Sequence, residues 1–290
     1  MEKYGEVLYN EDLKKYNTYK IGGKCKFVIK VKDVDSLIKL LEHLKSNNIK
    51  YIILGKGSNV ILPDEDYDGA LILLDQINQI KINKNIVDVG AGCTLSYLIS
   101  KVISKGLKGL ENLYGIPGTV GAGIVGNVGC YGSTISDYID TITYLESGRI
   151  EEIKKDDCYF DYRTSIFKKT KNKIIIGCKF KLSFGDKEEM EKTITSNLNK
   201  RRDTQPLEFP NAGSVFRNPV GYFAGALIDS NNLKGYHIND AYISEKHANF
   251  IINKGNATSN DIKELIKYIQ TVIFENEKIE LELEQEIITY

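Results

Sequence analysis

The sequence predicts an α/β protein of more than one domain, and three observations carry that reading. Apolar segments of strand length alternate with segments whose apolar residues recur at helical spacing. Two glycine turns, Gly55-Lys-Gly-Ser-Asn59 and Gly90-Ala-Gly92, follow directly on such strands. The carboxyl ends of strands are where open α/β sheets present ligands. A third stretch, Gly115 to Gly132, holds seven glycines, a single proline and no charged residue. At 290 residues the chain is long enough for two domains or more.

In chain order, Lys26–Val31 alternates with Phe27, Ile29 and Val31 on one face, a strand. Asp35 or Ser36 then caps a helix with Leu37, Leu40, Leu41 and Leu44 at i, i+3, i+4 and i+7. Tyr51–Leu54 is a short apolar strand leading into the first glycine turn, and Ala70–Leu74, Ile77–Ile82 and Ile86–Val89 read as further strands. Thr94 caps a helix with Leu95, Leu98, Ile99 and Val102 on one face, ending near Gly106. Strands follow near Thr141–Leu145 and Lys173–Leu182, the second preceded by the run Lys168-Lys169-Thr170-Lys171, read as a solvated turn. Lys187 to Arg202 reads as a charged helix. The main boundary falls near Thr204–Pro210, after which short strands and loops lead to a last helix striped by Ile262, Leu265, Ile266 and Ile269.

Composition excludes several function classes. Lys+Arg and Asp+Glu balance at 39 each with no basic cluster, which argues against a nucleic-acid partner. Five widely spaced cysteines without a CxxC argue for reduced thiols in the cytoplasm. His43, His237 and His247 show no metal-ligand spacing, so no metal is expected. No signal peptide opens the chain, and no run approaches the length of a membrane span.

The glycine-dense stretch is read as a buried loop wrapped around a flat or polyanionic ligand, with its amides pointing inward. Tightly packed turns without a ligand are the alternative. The 55–59 turn fails the P-loop spacing, because Lys stands at 50 and Gly at 57, and it lacks the third glycine of a dinucleotide fingerprint, since position 60 is Val. A pyrophosphate-binding turn and an ordinary tight turn both remain open. Arg163, among aromatic and apolar residues in Tyr162–Phe167, needs an anion or a structural ion pair. Ser214 lies in the loop Pro210–Pro219 with no histidine near in sequence, which leaves a proton-donor role open and weakens a nucleophilic one. Ser244–Phe250 offers ligand contacts or caps and ends in a strand. Leu281–Ile287 alternates Leu and Glu like a solvent-facing edge strand.

Taken together, these segments resemble the UDP-N-acetylenolpyruvoylglucosamine reductases, the MurB family. The runs that carry the resemblance are Asn17–Gly23, Leu54–Val60, Gly90–Gly92, Glu111–Gly121, Tyr162–Phe167, Ala212–Pro219, Lys234-Gly235, Ser244–Asn253 and Leu283–Ile287, which cover nearly the whole chain in register. The resemblance implies a two-subdomain FAD-binding fold of the PCMH/VAO type, over 1–75 and 76–204, followed by an α/β substrate-binding domain over 205–290. It implies FAD as cofactor and NADPH as co-substrate, with a UDP-sugar enolpyruvyl ether as substrate, and a monomer with no nucleic-acid or membrane partner. The close sequence spacing of Arg163 and Ser214 matches the compact subtype without an inserted tyrosine loop.

By the same resemblance, Gly55, Lys56, Gly57, Ser58, Asn59, Gly118, Thr119, Gly121, Asn127 and Gly129 are expected to bind FAD. Tyr162, Arg163, Asn218, Lys234, His247 and Asn249 are expected to bind substrate. Arg163 would meet the substrate carboxylate and Glu286 the developing enolate, with Glu284 as fallback if the register slips. Ser214 would supply the proton. The chain departs from the family at Gly121-Ala122-Gly123, at Cys130 and at Ser133-Thr134, where an acidic residue is common, and altered loop packing is expected there. A different flavin oxidase is disfavoured because no histidine between His43 and His237 could tether the cofactor. A flavin-free binding protein is the non-enzymatic alternative.

Overall fold

The computed structural model describes residues 1–170 and 172–290. The chain begins with β1 (Gly5–Asp12), β2 (Lys24–Val31), α1 (Val34–Ser46), β3 (Tyr51–Leu54), β4 (Val60–Ile61) and β5 (Tyr67–Leu73). β6 (Ile80–Asn83), β7 (Ile86–Gly90), α2 (Leu95–Ile103), β8 (Leu107–Lys108) and α3 (Val120–Val125) follow. Next come β9 (Gly129–Cys130), β10 (Ser133–Thr134), β11 (Ile139–Glu146), β12 (Arg149–Lys154), α4 (Ile166–Lys169), β13 (Lys173–Lys181) and β14 (Ser183–Phe184). The chain ends with α5 (Lys187–Thr204), α6 (Ala224–Ser230), β15 (His237–Ile238), β16 (Ala241–Ile243), β17 (Ile251–Asn253), α7 (Ser259–Glu277) and β18 (Glu286–Ile287).

These elements form two compact units. Unit 1 comprises Met1–Tyr9, Phe27–Gly55 and Asp68–Asn199; unit 2 comprises Asn10–Lys26, Lys56–Tyr67 and Lys200–Tyr290. Unit 1 carries a sheet of order β1-β2-β5-β3, in which β3 and β5 run parallel, and a five-stranded sheet of order β12-β11-β13-β7-β6. One apolar core, from Ile29 and Leu37 to Phe180 and Met190, fills it. Unit 2 has its own core, in which Tyr19, Ile21, Phe216 and Ile228 pack with the α7 stripe Ile262, Leu265, Ile266 and Ile269.

Several local expectations need correction. The cap of α1 is Asp33, whose carboxylate accepts from Ser36 N at 2.7 Å. The helix starts at Val34, ahead of the leucine stripe, because Val34 also packs on the core. Ile77 lies in a turn, with its N–H on Leu74 O at 2.8 Å, and only Ile80–Asn83 pairs as a strand. Its side chain is buried all the same, which is why the residue read as a strand member. Lys168 and Lys169 end the short helix α4 and do not form a loose turn; Lys171 of that run lies outside the described residues. Ser244–Phe250 runs into a strand, Phe250 pairing with Ser214 as a single bridge directly before β17 begins at Ile251.

The run Leu281–Ile287 is a solvent-facing edge strand only at Glu286–Ile287, both exposed, and ahead of that it is held on its backbone. Arg217 N and Glu284 N exchange bonds with Glu282 O and Val215 O at 2.9 Å, and β18 pairs in parallel with β4. Leu281 and Gln285 take the inward places of the alternation, both 3% exposed. Among the described residues no helix is long and apolar enough to cross a membrane, and no group of three His, Cys, Asp or Glu side chains converges as a metal site. Burial holds the Cys93 and Cys158 thiols up at about 11, where they stay protonated and unreactive.

Candidate active site

The expected site residues fall into two sets, each assembled within one unit. In unit 1 the glycine-dense stretch contains a helix where a continuous loop was expected. Its backbone lies along the Ala91–Leu95 segment: Val120 N donates to Cys93 O at 2.8 Å, Gly121 N to Ala91 O at 2.9 Å, and Leu95 N to Gly118 O at 3.1 Å. Thr119 then caps α3, its hydroxyl accepting from Ala122 N. The amides of Val120 and Gly121 therefore serve the protein's own ladder and do not point at a ligand. The reason is general: buried N–H groups take backbone partners wherever a ladder or helix supplies them.

Two of the helical glycines are explained by close approach. A Cβ on Gly121 would stand 2.9 Å from the Ala91 methyl, and one on Gly123 would stand 3.0 Å from Val128 Cγ1. Gly55 is equally confined, since its Cβ would lie 3.0 Å from both the Ala122 methyl and the Thr119 hydroxyl. The Gly121-Ala122-Gly123 order thus turns a methyl toward the end of β3. Gly126 and Gly132 are different. A side chain at Gly132 would meet nothing within 4 Å, and one at Gly126 only the Ala122 carbonyl, at 3.9 Å. An uncharged wall with glycines facing open space fits a flat aromatic ring, such as the isoalloxazine of FAD, which can lie against backbone without displacing side chains.

Arg163 sits at the tip of a tight hairpin closed by reciprocal bonds between Asp161 and Thr164, at 3.2 and 3.1 Å. Its φ of 55° places it in the left-handed region, as do 43° at Asn127 and 51° at Tyr131. Each such non-glycine conformation costs roughly 1–2 kcal/mol and persists because the surroundings impose it. Here two bonds impose it: Asn127 Nδ2 donates to Asp161 O at 3.0 Å, and the fully buried Ser165 hydroxyl donates to Val125 O at 2.7 Å. The guanidinium donates from Nη2 to Gly129 O at 3.0 Å and lies over the exposed Tyr162 ring at 5.2 Å. So Tyr162, Arg163, Asn127 and Gly129 come together beside the capped helix.

In unit 2, Lys56–Asn59 continues from Gly55. Gly57, at φ +60°, needs its glycine because a Cβ would strike the Tyr16 carbonyl, and its own carbonyl accepts from Thr18 N. Lys56 and Asn59 are exposed and Ser58 is half-buried. Asn59 is tied to the terminal strand twice: its Nδ2 donates to Glu284 O at 3.1 Å, and its carbonyl accepts from Glu286 N at 3.0 Å. Glu284 N bonds Val215 O, so Ser214, the two late glutamates and the glycine turn lie along one laced set of strands. Glu284 is half-buried and its N–H bonds the carbonyl of Val215, the residue after Ser214; Glu286 is exposed and registered on Val60.

The remaining expected contacts surround α6. Asn218 Oδ1 accepts from Ala224 N at 3.0 Å, opening that helix. Lys234 pairs with Asp229 on the same helix at 2.7 Å. His247 tilts against Phe250, with ring centroids 4.6 Å apart. Burial lowers the pKa of His247, and the charge of Lys234 acts in the same direction, so the ring is neutral at neutral pH. Ser244 acts as a cap, its hydroxyl accepting from Lys246 N. Asn249 is 4% exposed and spends its side chain on one residue, accepting from Phe216 N at 3.0 Å and donating to Phe216 O at 2.8 Å. It braces the strand beyond Ser214. Gln285 and Ser165 carried no signal beyond their place inside a quoted segment. The i, i+2 row of Leu281 and Leu283 would have put Gln285 on the buried face.

The family model described as UDP-N-acetylenolpyruvoylglucosamine reductase, C-terminal domain, matches residues 205–288, and one described as FAD binding domain matches residues 25–150. The UDP-N-acetylenolpyruvoylglucosamine reductase of Bacillus pumilus (strain SAFR-032) is 37% identical over 286 residues, covering 98% of this chain and 94% of that relative. The protein of the same name from Caldicellulosiruptor bescii is 40% identical over 286 residues, with 98% and 91% covered. The crystal structure of the Thermus caldophilus UDP-N-acetylenolpyruvylglucosamine reductase superposes with a TM-score of 0.84 at 30% identity, covering 98% of both chains.

Proposed function

From the premise that this chain belongs to the UDP-N-acetylenolpyruvoylglucosamine reductase family, we propose that it reduces the enolpyruvyl ether of UDP-N-acetylglucosamine to UDP-N-acetylmuramate in peptidoglycan precursor synthesis. FAD is the bound cofactor and NADPH the reductant. We place the enzyme in the cytoplasm as a monomer, without nucleic-acid or membrane partners. The division into FAD subdomains 1–75 and 76–204 and a substrate domain 205–290 belongs to the same reading. The observation that carries it is the lacing of Ser214, Glu284, Glu286 and the Lys56–Asn59 turn within unit 2.

When bound, FAD would supply the two-electron chemistry that links NADPH to the vinyl carbon of the substrate. Gly55, Lys56, Gly57, Ser58, Asn59, Gly118, Thr119, Gly121, Asn127 and Gly129 would hold it. The protein's own task is then to meet negative charge at the neighbouring carbon and its carboxylate. Arg163 is a permanent cation with a forked donor set that suits a carboxylate, and its hairpin is braced in advance of binding. Pre-set donors of that kind are typically worth about 2.7–4 kcal/mol each in the transition state. Ser214 would hand its proton to the carbanionic carbon, with a neighbour restoring it. Tyr162, Asn218, Lys234 and His247 would line the substrate, and Asn249, bonded to Phe216, would act on it only by bracing the strand beyond Ser214.

Two glutamates compete for the enolate, and the one that meets it would have to offer a protonated or proton-sharing carboxyl, because two negative charges repel. The family resemblance assigns Glu286, whereas half-burial and the bond to Val215 favour Glu284. Comparing Glu284→Gln with Glu286→Gln separates them, because the true partner should lose on the order of 100-fold in the substrate half-reaction. Replacing Ser214 with Ala should leave flavin bleaching by NADPH within about two-fold, while recovery on adding substrate slows by on the order of 100-fold or more. Equal loss of both half-reactions would refute the role given to Ser214.

A further inference from the structure

Gln285 is a buried polar group that the proposed reaction does not use, yet both its donors are committed to the segment that ends at Ser214. It is 3% exposed. Its Nε2 donates to Ala212 O at 3.1 Å and to Gly213 O at 3.2 Å, and its Oε1 accepts from Tyr19 Oη at 3.1 Å. A primary amide has two N–H donors, and both serve consecutive carbonyls. The amide orientation follows from the network, since an oxygen in place of Nε2 would face two other oxygens. Tyr19 is fully buried, which raises its pKa far enough to keep the phenol a neutral donor.

The turn so held is not set by crowding. Gly213 has φ +73°, and a Cβ there would meet nothing within 4 Å. Its N–H is closed by Asn211 Oδ1 at 3.0 Å. Both peptide carbonyls leading into Ser214 are therefore fixed by one side chain reaching in from the terminal strand, next to Glu284. Beyond Ser214 the chain is fixed by other means, through Asn249 O on Val215 N and the Asn249 side chain on Phe216.

We infer that Gln285 is the positioning residue of Ser214: by holding the Ala212 and Gly213 carbonyls it sets the peptide planes from which the Ser214 hydroxyl is aimed. The inference rests on Ser214 being the proton donor of the proposed reaction. Gln285 touches no reacting atom and moves no proton. It contributes direction, and misplacement of a reacting group by about 1 Å can cost on the order of 100-fold in rate.

The test uses the full-length, FAD-loaded protein and separates the two half-reactions. Gln285→Met keeps the volume and deletes both donors. It should slow flavin recovery at saturating substrate by on the order of 10–100-fold, with KM within about three-fold and flavin bleaching by NADPH within about two-fold. Combined with Ser214→Ala it should add less than about two-fold, because a residue that acts only through the hydroxyl has nothing left to aim. Amide exchange over 212–215 should also quicken in Gln285→Met. If that variant does not fold, Tyr19→Phe, which frees only the Oε1 end, carries the same comparison with a smaller expected loss. Equal slowing of both half-reactions, a full multiplicative effect on Ser214→Ala, or unchanged exchange over 212–215 would each overturn the inference. Intact recovery in Ser214→Ala alone would instead sink the function from which it starts.

Discussion

The walls around Arg163 in unit 1 and around Ser214 in unit 2 are made rigid by opposite means. The first is shaped by what is missing. Gly55, Gly121 and Gly123 let β3, α3 and the Ala91 segment approach within the space of a methyl group, and Asn127, Tyr131 and Arg163 are forced into left-handed backbone beside them. The second is shaped by what is added. Asn211, Asn249 and Gln285 each fill a donor or acceptor that the backbone of the irregular loop 210–218 leaves open, Asn211 from within the loop and the other two from outside it. The difference teaches that the first wall, although Asn127 and Ser165 also tie its hairpin, is vulnerable chiefly to volume, and the second chiefly to the loss of a polar atom.

That contrast can be broken most forcefully at Asn249. Asn249→Ala strands the N–H and the carbonyl of Phe216 inside the core, at about 1–3 kcal/mol each, so a stability loss of about 3 kcal/mol is expected from urea denaturation. Asn249→Leu, which keeps the volume without the polar atoms, should lose about as much; a clearly smaller loss would show that packing, not pairing, braces the strand. Next in size is Gly121→Val. Two methyls driven toward Ala91 should cost about 1–3 kcal/mol, and the purified protein should retain less flavin. If Gly121→Val is silent in both readouts, the account of unit 1 by close approach is wrong.

The smallest effect is one of pH. His247 has a lower pKa folded than unfolded, because burial disfavours the imidazolium. The unfolded chain then binds more protons in the window just below the free value of about 6.5, so stability falls as the solution is acidified from about pH 7 toward pH 5. His247→Gln should flatten that slope, read as the denaturation midpoint at several pH values. A slope unchanged in the variant would assign the acid sensitivity to other groups.

How much was legible depended on how local each cause is. The helix stripes Leu37/Leu40/Leu44 and Ile262/Leu265/Ile266/Ile269 were readable because burial repeats with the backbone period. Thr94 was readable as a cap because its partner, Tyr97 N, lies three residues away. Asp33 was missed by two residues, since capping identifies a residue type more sharply than a position. Within the glycine-dense stretch, the sequence pointed to confinement without naming the confining body. For Gly121 and Gly123 that body is Ala91 and Val128, whereas Gly126 and Gly132 face open space.

The amino-acid order by itself determined the alternation of strands and helices, the two glycine turns, and the family through segments spread over nearly the whole chain. It could do so because propensity, periodicity and short motifs are written within a few residues of one another. Tertiary structure alone decided that Asn59 holds the terminal strand, that Asn249 spends itself on Phe216, and that Gln285 bridges Tyr19 to the carbonyls before Ser214. Those bonds join positions from 33 to 266 residues apart. An amide side chain looks the same in sequence whether it faces water or closes such a gap, and only the folded chain brings its partner within 3 Å or so of it.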